Sequence, residues 1–303
     1  MKYILVIFSL IYSLTFLSQD RLVSYTYLTA DNAYQTSLKQ YVGYDKSITI
    51  HPSDTNKSDK ILHIIPLVGF RDYYYNNKSN QYSDFRVNTS FKYDRNLCFG
   101  LNASLIHTNN WTPLLYDGFI RWSRKRISTE LFREHELVGT PTTNDLRYTS
   151  TFTGLSVDYR LNRYLTVVNG ISYNRISDGN DRWYYIGRII CSIGDRSYFD
   201  FKTRQMWGGE WSPYYFSPQA MAQYNIGYGF YKPIMNEKLM MKFYFGSGVQ
   251  VIDKDRMAMF NLDVKITTNF KSRWNAELQL GSRNFNTYVY NMATLKITYN
   301  LFK

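Results

Sequence analysis

From Phe260 onward the chain alternates. Phe260, Leu262, Val264 and Ile266 interleave with Asn261, Asp263, Lys265 and Thr267. After a polar break, Trp274, Ala276, Leu278 and Leu280 alternate with Asn275, Glu277, Gln279 and Gly281. After a second, Leu295, Ile297, Tyr299 and Leu301 alternate with Lys296, Thr298 and Asn300. Successive side chains of a strand point to opposite faces, so each run has one apolar and one polar face. Runs joined by short polar breaks predict an antiparallel up-and-down meander.

The same pattern recurs upstream. Phe85, Val87, Thr89, Phe91 and Tyr93 oppose Arg86, Asn88, Ser90 and Lys92. Leu155, Val157, Tyr159 and Leu161 oppose Ser156, Asp158 and Arg160, and Tyr224, Ile226, Tyr228 and Phe230 oppose Gln223, Asn225, Gly227 and Gly229. Predicted strands are 23–28, 38–50, 61–75, 83–93, 97–108, 115–124, 127–137, 149–161, 165–176, 182–193, 197–207, 215–232, 239–252, 256–269, 273–284 and 288–302. The count is about sixteen, with fourteen as the alternative, because the first hairpin is the weakest. Connectors alternate in length: Asp94-Arg95-Asn96, Asn162-Arg163 and Phe270-Lys271-Ser272 are tight, whereas 139–148 and 208–214 are longer.

Two architectures share this pattern. In a soluble sandwich the apolar face is a core; in a membrane barrel it faces lipid and the polar face lines the lumen. The N-terminus favours the barrel. Met1-Lys2 precedes an apolar run from Tyr3 to Leu17, followed by polar Ser18-Gln19-Asp20-Arg21. This describes a secretory signal peptide, 1–18, too short for a comfortable membrane helix. The expected organisation is then 19–36 as a short lead or first strand and 37–303 as an all-β transmembrane barrel. Aromatics make up 18% of the chain, with 29 Tyr, as interface girdles require. A sandwich of this size would need two domains, and no linker is present. The expected location is the outer membrane of a Gram-negative bacterium.

The formal charge of +12 does not point to nucleic acid in an exported chain. It fits contact with outer-membrane lipid and lipopolysaccharide, or passage of an anionic solute. The barrel-assembly machinery is an expected partner during biogenesis. Cys98 and Cys191 fall on opposite faces by parity, so they are expected to stay free. No metal-ligand spacing or cofactor motif occurs.

Three local runs go beyond generic strand patterning: Trp211 to Gln219, read Trp-Ser-Pro-Tyr-Tyr-Phe-Ser-Pro-Gln; Ile176 to Arg182, containing Asp178-Gly179-Asn180; and Glu130-Leu131-Phe132-Arg133-Glu134. In this order they resemble the YaiO-type outer-membrane barrels. They are also similar to the C-terminal barrel of cellulose-type exopolysaccharide export porins, over about 116–302. The resemblance implies a non-enzymatic barrel that exports, or handles at the surface, an exopolysaccharide. Export members often carry a tetratricopeptide scaffold; none precedes this barrel, which favours the stand-alone type.

Read as residues, Asp178, Gly179 and Asn180 make a turn. Trp211, Tyr214, Tyr215, Phe216 and Gln219 are the candidate glycan contacts at the outer mouth, since aromatic faces stack on sugars. Glu130, Arg133, Glu134, Asp158, Arg160, Asp263, Lys265, Glu277 and Lys296 form the expected lumen charge network, with Arg133 inward only if a bulge turns it. The alternatives are a plugged structural barrel and a lipid-modifying enzyme. His135 is the one histidine of interest for the latter, and no catalytic residue is assigned.

Overall fold

The computed structural model describes residues 20–31, 35–50, 60–75, 78–108, 110–138, 143, 145–215, 217–234, 238–268, 273–285 and 288–301. The expected signal peptide, Phe216, Phe302, Lys303 and the turn at Phe270-Lys271-Ser272 lie outside them.

Sixteen strands form one closed antiparallel barrel. They are β1 Arg21–Asp31, β2 Thr36–Ile50, β3 Lys60–Tyr75, β4 Lys78–Lys92, β5 Leu97–His107, β6 Leu114–Arg124, β7 Ile127–Leu137 and β8 Thr149–Arg160. The second half comprises β9 Leu165–Ile176, β10 Asp181–Ile193, β11 Ser197–Trp207, β12 Ala220–Ile234, β13 Leu239–Ile252, β14 Asp255–Thr268, β15 Trp274–Phe285 and β16 Tyr288–Asn300. Each strand pairs with its sequence neighbours, and β1 closes the ring on β16 from Arg21↔Asn300 to Asp31↔Tyr290. The segment read as lead or first strand is therefore a full wall strand. Closure removes both sheet edges, so the ladder is satisfied within the wall.

Parity then sorts the side chains. The outward set is apolar and open: Val42 is 64% exposed and Ile226 65%, with Val68, Leu101, Leu114 and Ile120 also exposed. An apolar belt of this extent is untenable in water and natural in lipid. The inward set is polar, and the largest fully buried side chain is an arginine, Arg71.

The two rims differ. At the rim where Asp20 and Leu301 meet, Leu301 N donates to Asp20 O at 2.9 Å, and most links are short, the nine residues between β2 and β3 excepted. The Asp94 carboxylate accepts from Asn96 N and Leu97 N, both at 2.7 Å. Asn162 Oδ1 does the same for Tyr164 N at 2.8 Å and Leu165 N at 3.0 Å. The opposite rim carries the longer connectors, and we call it the loop rim.

Two predicted starts are off by five residues: the strand expected from Ser83 already begins at Lys78, and the one expected over 215–232 begins only at Ala220. The residues before it belong to a folded loop, where Pro218 and the polar contacts described below prevent pairing.

Candidate functional site

The lumen is divided lengthwise. Along β2–β7 side chains narrow it, leaving a smaller cavity of about 520 Å³ bordered by Tyr27, Lys39, Arg86, Glu130 and Glu134 among others. The Arg71 guanidinium reaches Asp84 Oδ2 through Nε at 2.6 Å and Glu136 Oε2 through Nη1 at 2.8 Å. Tyr41 donates to Asp84 Oδ2 at 2.7 Å, and the Ser104 hydroxyl donates to the other oxygen. One buried arginine thus ties β3, β4 and β7 together, with β2 and β5 attached through Asp84. Below it, Arg86 donates to Asp117 Oδ2 at 2.6 Å and Asn102 to Asp117 Oδ1 at 2.5 Å. Above it, at the loop rim, Tyr73, Tyr82, Ile106, Leu115 and Leu137 pack as one buried cluster with Trp111 against it.

Along β10–β15 the lumen is open. A cavity of about 1060 Å³ runs there, bordered by Arg188, Lys202, Arg204, Tyr244, Lys265 and Arg283 among others. Some of its charges are paired: Arg188 Nε donates to Asp200 Oδ2 at 2.5 Å, and Lys265 meets Glu277 at 2.7 Å. The Tyr244 hydroxyl lies 2.8 Å from Asn225 Oδ1 and 3.0 Å from Asp200 Oδ1. Its ring occupies the space above Gly227, as the Tyr198 ring does above Gly229, and a Cβ at either glycine would collide with them.

Two of the runs singled out in the sequence meet at the top of this cavity. Gly179, at φ 93°, turns the chain between β9 and β10, a conformation that glycine adopts without strain. That turn presents Asn180, only 5% exposed, to the β11–β12 loop. Asn180 Nδ2 donates to Glu210 O at 2.7 Å and to Ser217 Oγ at 2.9 Å, and its Oδ1 accepts from Glu210 N at 3.0 Å. Tyr215 donates to Asp178 Oδ2 at 2.5 Å. Arg182 donates to Ser217 Oγ at 2.7 Å and lies 5.1 Å from the centre of the Tyr215 ring. Burial, and next the bond to Asp178, push the Tyr215 hydroxyl above its ordinary pKa. The loop is pinned across the mouth, with Pro213, Tyr214 and Tyr215 bordering the cavity.

The candidate glycan contacts therefore separate. Tyr214 and Tyr215 border the cavity, and both rings pack edge-on against Tyr148. Trp211, 75% exposed, projects from the loop, and Gln219 is exposed beside it. Asp178, Gly179 and Asn180 serve as the anchor of that loop as well as a turn.

The charge network also divides. Glu130 is held by Arg121, Lys265 by Glu277, and Lys296 lies over the Tyr25 ring at 5.3 Å. Asp158, Arg160 and Asp263 share the inward parity of their strands. Arg133 does not join them. β7 pairs without interruption from Tyr116↔His135 to Arg124↔Ile127 on one side and from Ile127↔Tyr159 to Leu137↔Thr149 on the other. With no bulge to turn it, Arg133 alternates outward between Phe132 and Glu134. Glu136 and Glu130 are neutralised by Arg71 and Arg121 instead.

His135 also faces outward. It bonds Thr151 Oγ1 at 2.8 Å and stacks on Tyr116 at 5.3 Å, with no carboxylate orienting it. Ser47, His63 and Asp45 do come together, but Ser47 Oγ at 2.8 Å and Asp45 Oδ1 at 3.3 Å both address His63 Nδ1. A catalytic relay needs the nucleophile and the orienting acid on different ring nitrogens. Cys98 and Cys191 are both free.

Sequence reading missed the Arg71 network and the basic run of β11. Both left a signal. Arg71 is the one charged residue on an inner face otherwise made of Ile65, Leu67, Gly69 and Tyr73. Lys202 and Arg204 follow Asp200 on the face opposite Phe199 and Phe201.

A closed sixteen-stranded antiparallel ring, apolar outside and polar inside, is the fold of an outer-membrane β-barrel. Solved structures agree. A bacterial polysaccharide outer membrane secretin superposes with a TM-score of 0.69 at 11% identity, over 93% of this chain and 98% of that one. Pseudomonas aeruginosa OccK7 (OpdD) gives 0.51 at 10% identity over 94% and 98%. The outer membrane protein opdK from the same organism gives 0.51 at 12% over 94% and 99%. At these identities the likeness is one of fold. No protein-family model matches the chain, and no curated protein matches it in sequence.

Proposed function

We propose that this chain is a non-enzymatic outer-membrane channel of the YaiO type. It reaches that membrane through a signal peptide and the barrel-assembly machinery, and it passes an exopolysaccharide through the open side of its lumen. The observation that carries this reading is the cavity of about 1060 Å³ lying beneath a pinned aromatic loop. Barrels of sixteen strands are wide enough to leave an aqueous channel unless side chains fill it. Here the β2–β7 side keeps about 520 Å³ and the β10–β15 side about twice that. Tyr214 and Tyr215 at the mouth offer ring faces to sugar C–H groups, and the polar wall below replaces water around hydroxyls. Outer-membrane lipid and lipopolysaccharide are the partners of the apolar belt.

Planar-bilayer recording of the purified barrel tests the reading. The expected result is a steady conductance that a soluble oligosaccharide interrupts, with shorter interruptions in Tyr214→Ala than in the native chain. Trp211→Ala is expected to impair glycan release and to leave assembly intact. The plugged structural barrel has its own support, the buried Arg71 network and the apolar cluster at the loop rim. A folded barrel that never conducts would make that the better reading.

A further inference from the structure

The basic residues of the open side are not all accounted for. Arg188 has Asp200 and Lys265 has Glu277, and the Lys242 ammonium sits 5.1 Å over the Tyr231 ring. Lys202, Arg204 and Arg283 have no such partner among the described residues. They border one cavity, and they are close enough that each guanidinium bears electrostatically on the others and on the Lys202 ammonium. Lys202 and Arg204 are two residues apart on the inner face of β11, and Arg283 converges on them from β15. All three are half-buried.

The acids bordering the same cavity are Asp31, Asp200 and Asp263. Asp200 is taken by Arg188, and Asp31 accepts from Gln35 N at 2.9 Å. Asp263 lies two positions along β14 from Lys265 and packs over Gly281, and it makes no salt bridge with the three bases among the described residues. Beside Lys202 in register stands Asn225, only 3% exposed, whose Nδ2 has no acceptor. Three like charges in a partly desolvated wall repel one another, and a buried donor without an acceptor costs free energy. One ligand chemistry relieves both. An oxyanion accepts from guanidinium forks in two parallel bonds, neutralises the ammonium and can take the orphan amide proton.

We propose that Lys202, Arg204 and Arg283 form an oxyanion-binding station in the lumen, and that its occupant is the carboxylate of an acidic sugar unit. The identity of that occupant rests on the glycan-passage reading; the station itself does not. A uronate-bearing chain would hand successive carboxylates to the three bases while its ring faces slide past Tyr214 and Tyr215. Water would refill the site between sugars.

Titration calorimetry on the detergent-folded barrel tests the station with three probes: a galacturonate oligomer, a neutral cello-oligosaccharide of equal length, and citrate. The expected result is that the galacturonate oligomer binds roughly tenfold or more tightly than the neutral one, about one charge-assisted contact's worth. A triple variant, Lys202→Gln with Arg204→Gln and Arg283→Gln, is expected to equalise the two oligomers. Arg204→Lys with Arg283→Lys should retain most of the preference. Removing mutually repelling charges leaves the fold intact, and gel mobility before and after boiling verifies this. Equal binding of both oligomers by the native barrel overturns the proposal, even if both pass through it in bilayers. So does a preference that survives in the triple variant. If citrate binds and loses affinity in the triple variant while neither oligomer binds, the station stands and the glycan-passage reading falls.

Discussion

Arg71 on β3 and Arg204 on β11 are both inward-facing arginines of the same wall, and they live in opposite circumstances. Arg71 is completely buried, with two carboxylates at its guanidinium. Arg204 borders a wide cavity and has basic residues for neighbours. The difference follows from what surrounds each in sequence. The inner face of β3 next to Arg71 is made of Leu67, Gly69 and Tyr73, so a charge there must be matched by its neighbours or not form at all. The inner face of β11 carries Asp200, Lys202 and Arg204 in succession, which keeps water in the lumen beside it. One side of the barrel uses charge to hold strands together, and the other leaves charge available.

The sharpest test of this contrast is substitution at both positions. Arg71→Met strands Asp84 and Glu136 without their counter-charge and should cost about 3–5 kcal/mol. Arg204→Met, which relieves repulsion, should cost nothing measurable. The midpoint of urea unfolding, followed by the gel-mobility shift of the folded barrel, reads both. Similar losses from the two variants would break the comparison.

The two faces of one strand give the next largest effect. Leu262, 41% exposed on the lipid side, should cost about 2–4 kcal/mol when changed to Arg near the midplane. Asp263→Asn alters only the lumen and should fold normally by the same assay. Equal defects would refute the register of β14.

A smaller effect is expected at the mouth. Asn180→Ala removes the side-chain contacts to Glu210 and Ser217, worth about 1–3 kcal/mol together, and should speed protease cleavage within 209–219. The staple also has a pH limit. The Tyr215 pKa is raised in the folded state, so its contribution is complete below the ordinary tyrosine value of about 10 and is lost as pH rises through the higher folded value. Cleavage of the native loop should accelerate in that alkaline range. In Tyr215→Phe the alkaline acceleration should disappear.

The smallest perturbation is chemical labelling of the cysteines. Cys98 shares the inward parity of Asn102 and Ser104, whereas Cys191 lies between exposed Ile189 and Ile193. A charged, water-soluble thiol reagent should modify Cys98 in the folded barrel. Cys191 should require a membrane-soluble one. The reverse pattern would mean that the faces had been exchanged.

How much of this could be read from the chain depends on the range of the interaction. Alternation is local, so strands such as 127–137 and 239–252 coincide with β7 and β13, and the count of sixteen holds. Parity also placed Glu136, Asp158 and Lys265 inside. It failed at Arg133 only where a bulge was invoked to bring the residue in. What alternation does not carry is which inward side chains meet across the lumen. Arg71 and Glu136 stand 65 positions apart and meet because the wall curls, whereas Asp178 and Tyr215, 37 apart, meet because β10 pairs with β11. The start of β12 was misplaced for a related reason. Tyr215 and its neighbours suit a strand by composition, but they are captured by the turn that Gly179 makes.

In a ring of sixteen strands, β7 and β15 stand eight apart and therefore face each other. Glu134 on β7 has no salt bridge among the described residues, and neither has Arg283 on β15. A carboxylate without a salt bridge thus looks across the lumen at bases without one. The lumen would be spanned sideways by an electric field, at right angles to the barrel axis. Such a field does no work along the axis, but it exerts a torque. A solute carrying a dipole would be turned there, its electronegative edge toward β11 and β15. The lopsided lumen would then decide which way round a solute moves as well as what it can admit.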